Sequence, residues 1–136
     1  MSFLGLSSRS PFALNAGAAA GVFQVTLGLI GVFRPQVMLQ DIWGFKTSTK
    51  PGQDQLVIES LMQLYGMRNV ALGLMILAVR TFADSRTLAW VLMSDMLVAI
   101  GDGFIQKKAT GGGEWKHWSF VPVGVGMGML LLGYFD

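Results

Sequence analysis

The 136-residue chain has no cysteine and a single histidine. The first absence excludes disulfides, thiolate nucleophiles and cysteine-held metals. The second excludes a multi-histidine metal centre, leaving only a mixed carboxylate site formally open, and no metal is expected. Charge is also scarce. Only 13% of residues are Asp, Glu, Lys or Arg, whereas soluble domains carry about a quarter. The net charge of +2 comes from few groups, so it is no footprint for nucleic acid. There is no nucleotide-binding motif: the glycines at 111–113 lack the spacing of a phosphate loop and read as turn material.

What the chain does have is apolar sequence. It is 52% hydrophobic, contains 18 glycines, and has a mean hydropathy of +0.53. Residues 10–33 and 118–134 contain no charged side chain. A helix needs about 20 apolar residues to cross the roughly 30 Å hydrocarbon layer. The pattern predicts one all-α integral membrane domain over residues 1–136, a four-helix polytopic bundle with helices near 12–33, 56–79, 86–104 and 115–135. The N-terminal residues make a poor signal peptide, because the positive side chain is at Arg9 and the apolar run continues past Ala18, Ala19 and Ala20. It is read as an uncleaved first helix, with cleavage as the alternative.

Punctuation fits these spans. Pro11 suits a helix start, Arg34-Pro35 a helix end, and residues 47–52 a loop. Residues 37–45 read as a short interfacial piece with Trp43 as its anchor; Trp115, Trp118, Tyr134 and Phe135 suit aromatic belts. Gly17, Gly21 and Gly28, and Gly124 with Gly128, are read as helix-packing strips. Arg34, Lys46, Lys50, Lys107, Lys108 and Lys116 fall on one side of the predicted bundle, and Arg9, Arg80 and Arg86 on the other. The positive-inside bias then puts both termini on the non-cytoplasmic side.

Ionisable groups at membrane depth carry the functional expectation, since they are expensive to retain there. Asp84, Asp95 and Asp102 form a stripe on the third helix, with Asp84 outside the membrane. Counting depth pairs Arg68 with Asp95 and gathers Glu59, Asp102 and His117 at one mouth of the bundle. In the functional reading His117 exchanges protons, with Asp102 or Glu59 orienting it or carrying a second proton. Arg68 and Tyr65 hold an anionic oxygen of the substrate, and Asp95 positions Arg68. The competing structural readings are an Arg68–Asp95 pair that sets helix register, a His117 that marks the interface beside Trp118, and an Asp102 that punctuates a helix end between Gly101 and Gly103.

Gly66-Met67-Arg68-Asn69, Leu72-Gly73-Leu74, Asp95, Asp102-Gly103 and His117 together resemble a small four-helix integral membrane family of unknown function found in fungi and bacteria. The resemblance covers residues 56–135, with the first helix matching in hydropathy only. Family members often carry an acid after the arginine, where this chain has Asn69. The resemblance implies a setting near fungal secondary-metabolite enzymes, and for a fungal member the endoplasmic reticulum. The resulting expectation is a cofactor-independent cyclase, isomerase or dehydratase-like enzyme acting by acid/base chemistry on a lipophilic intermediate. The alternatives are a non-catalytic scaffold for pathway enzymes and a small oligomeric transporter. The expected partners are a lipophilic small molecule, the lipid bilayer, and a second copy of the chain or pathway enzymes, with no nucleic acid.

Overall fold

The computed structural model describes residues 7, 8, 10–46 and 52–136. The expected loop at 47–51, with Lys50, and the N-terminal residues 1–6 and Arg9 lie outside the described residues. What is described is helical: α1 (Pro11–Phe33), α2 (Pro35–Val37), a π-helical turn (Met38–Ile42), α3 (Gln53–Phe82), α4 (Ser85–Thr110), α5 (Trp115–Trp118) and α6 (Phe120–Leu132). Three helices, α1, α3 and α4, are long and apolar enough to cross a membrane. The expected fourth span is divided instead into α5 and α6, with Ser119 between them.

The local signals act as elementary chemistry requires. Ser10 caps α1, its hydroxyl accepting from the Ala13 N–H at 3.2 Å, and Pro11 follows where no N–H is needed. Pro35 cannot continue α1 and opens α2. Asp84 caps α4 through the Thr87 N–H at 2.7 Å; that bond, then the one from the Thr87 hydroxyl, holds its carboxyl below the usual range. The end of α4 differs from expectation. It runs past Asp102 to Thr110 and stops at Gly111, whose positive φ of 75° lets its N–H turn back to the Lys107 carbonyl.

Glycines set the helix register. α1 and α3 run antiparallel and touch backbone to backbone. A Cβ on Gly66 would lie 2.6 Å from the Gly28 carbonyl oxygen, and one on Gly73 would lie 2.5 Å from that of Gly21. The two contacts recur every seven residues on both helices, which keeps one face in continuous apposition. α6 packs on α4 differently: Gly124 receives Met96 and Gly128 receives Met93. One apolar cluster, built on Ala13, Ile76, Leu88, Leu92 and Leu131, closes the end of the bundle that holds the α3–α4 turn. A second, of Met38, Leu39, Trp43 and Met62, lies under the π-helical turn. Between the clusters the interior admits polar side chains, with Asn69 and Asp95 buried there.

Candidate functional site

His117 sits on α5, a single turn that opens the last segment, and is only 8% exposed. Its Nε2 lies 2.7 Å from Gln106 Oε1 on α4. The orientation of that amide is fixed from its other end: Gln106 Nε2 donates to the Trp43 carbonyl oxygen at 2.7 Å, and a carbonyl can only accept. Gln106 therefore presents an acceptor to the ring. Neutral His117 carries its proton on Nε2 and its lone pair on Nδ1, the assignment that the hydrogen-bond network requires. Nδ1 has no hydrogen-bond partner among the described residues.

Trp43 covers the imidazole face. The rings stack at 4.3 Å between centroids with 21° between planes, and Trp43 meets the Tyr65 ring edge-on at 6.4 Å. Trp43 is thus a wall of the site, where the sequence suggested an interfacial anchor. The π-helical turn explains its placement, since the wider turn carries Trp43 N–H to the Met38 carbonyl and swings the indole inward. Gly44, at φ 73°, then releases the chain. Lys116 Nζ fastens the same turn through the Ile42 carbonyl at 2.6 Å.

The expected Arg68–Asp95 pair is not formed. Arg68 Nη2 meets Asp102 Oδ2 at 2.6 Å. Tyr65 donates its hydroxyl to the same oxygen at 3.3 Å, and the guanidinium lies 4.5 Å over the Tyr65 ring. Asp95, two turns earlier on the same stripe, instead takes the Gln24 side-chain amide of α1. Depth counting fails here because the glycine contacts, not the charges, set the axial register. Glu59 is also misplaced by that counting. It accepts from Gln36 and Gln55 near the start of α3 and lines neither cavity at the site. Asp102 does not end α4, and His117 is not an exposed interface marker. Trp118, expected in a belt, packs on Gly103 and donates to the Ile100 carbonyl at 3.3 Å.

Two cavities of about 250 and 110 Å³ share Trp43, Tyr65, Asp102 and His117 as walls. The outer one adds Arg68, and the inner one adds Gln24, Asn69 and Asp95. The site thus has an outer chamber with an ion pair and an inner one with amides and a carboxylate, and the His117–Trp43 stack lines both. The sequence reading overlooked Gln24, Gln106 and Lys116. Gln24 did leave a trace, as a lone amide in the middle of an otherwise apolar span. No group of three or more potential metal ligands occurs among the described residues.

A family profile, Domain of unknown function (DUF4267), matches residues 21–131. The chain belongs to the DUF4267 family. No curated protein and no solved structure matches it significantly. The DUF4267 match begins within α1 and takes in Gln24, the π-helical turn and every residue of both cavities except Ala20. The family region is therefore longer than the motif resemblance suggested, and it contains the polar side chains of the site.

Proposed function

We propose that this DUF4267 protein is a membrane-embedded enzyme that moves a proton on a lipophilic substrate, an isomerase, cyclase or dehydratase requiring no redox cofactor. One observation carries the reading: a buried histidine whose Nε2 is tied to Gln106, so that Nδ1 is its basic nitrogen, lines a cavity that also holds an arginine. A general base must be oriented, desolvated and within reach of its proton. A substrate carbonyl in the outer chamber accepts from Arg68, which spends one terminal nitrogen on Asp102 and has further N–H donors. Nδ1 takes a proton from the carbon beside that carbonyl, the oxygen gathers the negative charge under Arg68, and the imidazolium returns the proton at another position. Asp102 and Tyr65 keep the guanidinium in place. Asp95 acts in the inner chamber rather than on Arg68.

We further propose four membrane crossings, with α5 and α6 as the last. The support is the meeting of the two described ends: Ser8 donates its N–H and its hydroxyl to the Asp136 carboxylate at 2.7 and 2.6 Å. Ends on one side require an even number of crossings, and three helices are already long enough. Residues 115–132 span about 27 Å if continuous. The exposed Leu64, Leu97 and Val123 would face lipid.

The scaffold alternative would use small-residue strips to receive partner helices, but Gly17, Gly21, Gly28, Gly124 and Gly128 pack against α3 and α4 of the same chain, so this observation does not favour it.

The test compares membranes holding wild type, His117→Ala or Asp102→Ala at equal protein levels, fed extracts of a host rich in candidate intermediates. Wild type should give a new product, and His117→Ala should lower its rate by about 10²–10⁴-fold. Identical product profiles in all three, with co-purification of a pathway enzyme, would move the assignment to a scaffold. Passage of an unchanged compound across sealed vesicles would move it to a carrier.

A further inference from the structure

We infer that the inner chamber holds the hydroxylated, single-ring head of a lipophilic molecule whose alkyl tail leaves toward lipid between α3 and α4. The inference rests on the substrate-binding reading above and names the class of molecule: the ring lies in the inner chamber, and the carbonyl held by Arg68 is a substituent that reaches the outer chamber past His117, which lines both.

Three buried side-chain atoms among the described residues have no hydrogen-bond partner: Gln24 Oε1, Trp43 Nε1 and Asp95 Oδ1. All three belong to residues that line the inner chamber. Trp43 and Asp95 are each 8% exposed. Such groups are costly to bury unsatisfied, and orphaned atoms are few in native interiors. Here all three belong to side chains arranged around one space. Their chemistry specifies the complement. Trp43 Nε1 can only donate and Gln24 Oε1 can only accept, whereas Asp95 Oδ1 accepts, or donates when the carboxyl is protonated. Two hydroxyls on one ring complement all three, because each hydroxyl both donates and accepts. The other polar side chains lining the chamber each make a bond already: Asn69 on the Tyr65 carbonyl, Lys116 on the Ile42 carbonyl, Tyr65 on Asp102, Asp102 in turn on Arg68, and His117 Nε2 on Gln106, with His117 Nδ1 left as the proposed base.

Size sets a limit. A cavity of roughly 150 Å³ holds benzene, so about 110 Å³ has no room for a fused system and takes a single ring only as its walls move outward. The apolar walls include Phe23, Leu27, Met96 and Phe120, suited to ring faces. A separate groove of about 470 Å³ runs between α3 and α4, lined by Leu72, Met75, Trp90 and Val91. It adjoins the chamber, since Asp95 and Val98 line both, and the tail passes between these two side chains in the arrangement we infer. The head is therefore recognised at Asp95, and the tail lies along the apolar groove. A hydroxyl-bearing ring at this depth also stands beside His117, which lines the same chamber.

The experiment uses full-length protein in lipid nanodiscs, dialysed against hexylbenzene, para-hexylphenol and hexylresorcinol, with empty nanodiscs as the blank. These probes share a ring and a tail and carry none, one and two hydroxyls. Saturable binding should strengthen with each hydroxyl, by about tenfold or more between the extremes. Trp43→Phe keeps the stack on His117 and Gln24→Met keeps the length; each should shrink the preference for hydroxyls. Val98→Trp should weaken all three probes by filling the junction. Equal binding of the three probes, or no saturable binding by correctly folded wild type, would overturn the head-group assignment. Product formation that depends on His117 but shows no hydroxyl preference would overturn this inference alone. An intact preference with no chemistry in wild type would overturn the enzyme reading alone.

Discussion

Gln106 gives His117 the kind of support that a carboxylate gives a catalytic histidine elsewhere: an acceptor on one ring nitrogen that leaves the other basic. A neutral amide does so without adding charge to a buried site. Because the chain has one histidine, its tautomer can be read without assignment. The neutral imidazole should give the ¹⁵N NMR pattern of an Nε2–H ring, with an unprotonated Nδ1, in protein purified on a tag free of histidine. An Nδ1–H ring in wild type would refute the proposed base. Gln106→Leu removes both bonds of the amide and leaves the Trp43 carbonyl and the imidazole N–H unpaired. It should mix the tautomers and cost about 2–3 kcal/mol of stability in thermal unfolding. Residue types at the site were legible in the sequence; pairings were not. Arg68, Asp102, Tyr65 and His117 do share a chamber. Yet Asp95 and Asp102 lie on one stripe two turns apart, and choosing Arg68's partner between them requires the axial register. Gln106 lay in what read as a loop, and Trp43 in what read as an interface.

The register is decided at the level of elements, by glycine. Where α1 crosses α3, Gly28 and Gly66 leave no room for a methyl group, and the atoms in the way are backbone. Gly28→Ala or Gly66→Ala must separate the helices and with them Gln24, Tyr65 and Arg68. Either variant should lose about 2 kcal/mol or more in detergent-solubilised stability. Gly126, on α6, supplies the control. Nothing lies within 4 Å of an added Cβ there and the residue is helical, so Gly126→Ala should be neutral or more stable by about 0.5–1 kcal/mol. Equal losses at Gly66 and Gly126 would mean that the close crossing is not what holds α1 on α3. The spans of α1, α3 and α4 were legible from hydropathy and caps. The extension of α4 was hidden because Lys107 and Lys108 look like loop residues, although cations favour a helix C-terminus. The π-helical turn has no simple sequence period.

At the scale of the whole molecule, the ends and the loops make opposite statements about sidedness that one experiment can join. Ser8 meets Asp136, while at the other end of the bundle Lys116 and Gln106 both fasten the turn that follows α1. There, too, Lys107 meets Glu114 at 3.0 Å; the backbone at the start of α5 and then this lysine hold the Glu114 carboxyl below its usual range. That end gathers Arg34, Lys46, Lys107, Lys108 and Lys116, so for the proposed four crossings the positive-inside bias predicts that it is the cytoplasmic end. The absence of cysteine allows single cysteines to report accessibility without background. In sealed vesicles of known orientation, Ser8→Cys and Tyr134→Cys should react with an impermeant maleimide from the non-cytoplasmic face, and Lys108→Cys from the cytoplasmic face. Gly126→Cys, on an open stretch of α6, should resist the reagent from both faces if α6 lies in hydrocarbon. Labelling of Ser8→Cys and Tyr134→Cys from opposite faces would remove the fourth crossing and break the Ser8–Asp136 contact. It would also take α5 out of the bundle, and with α5 the imidazole on which the proposed chemistry depends.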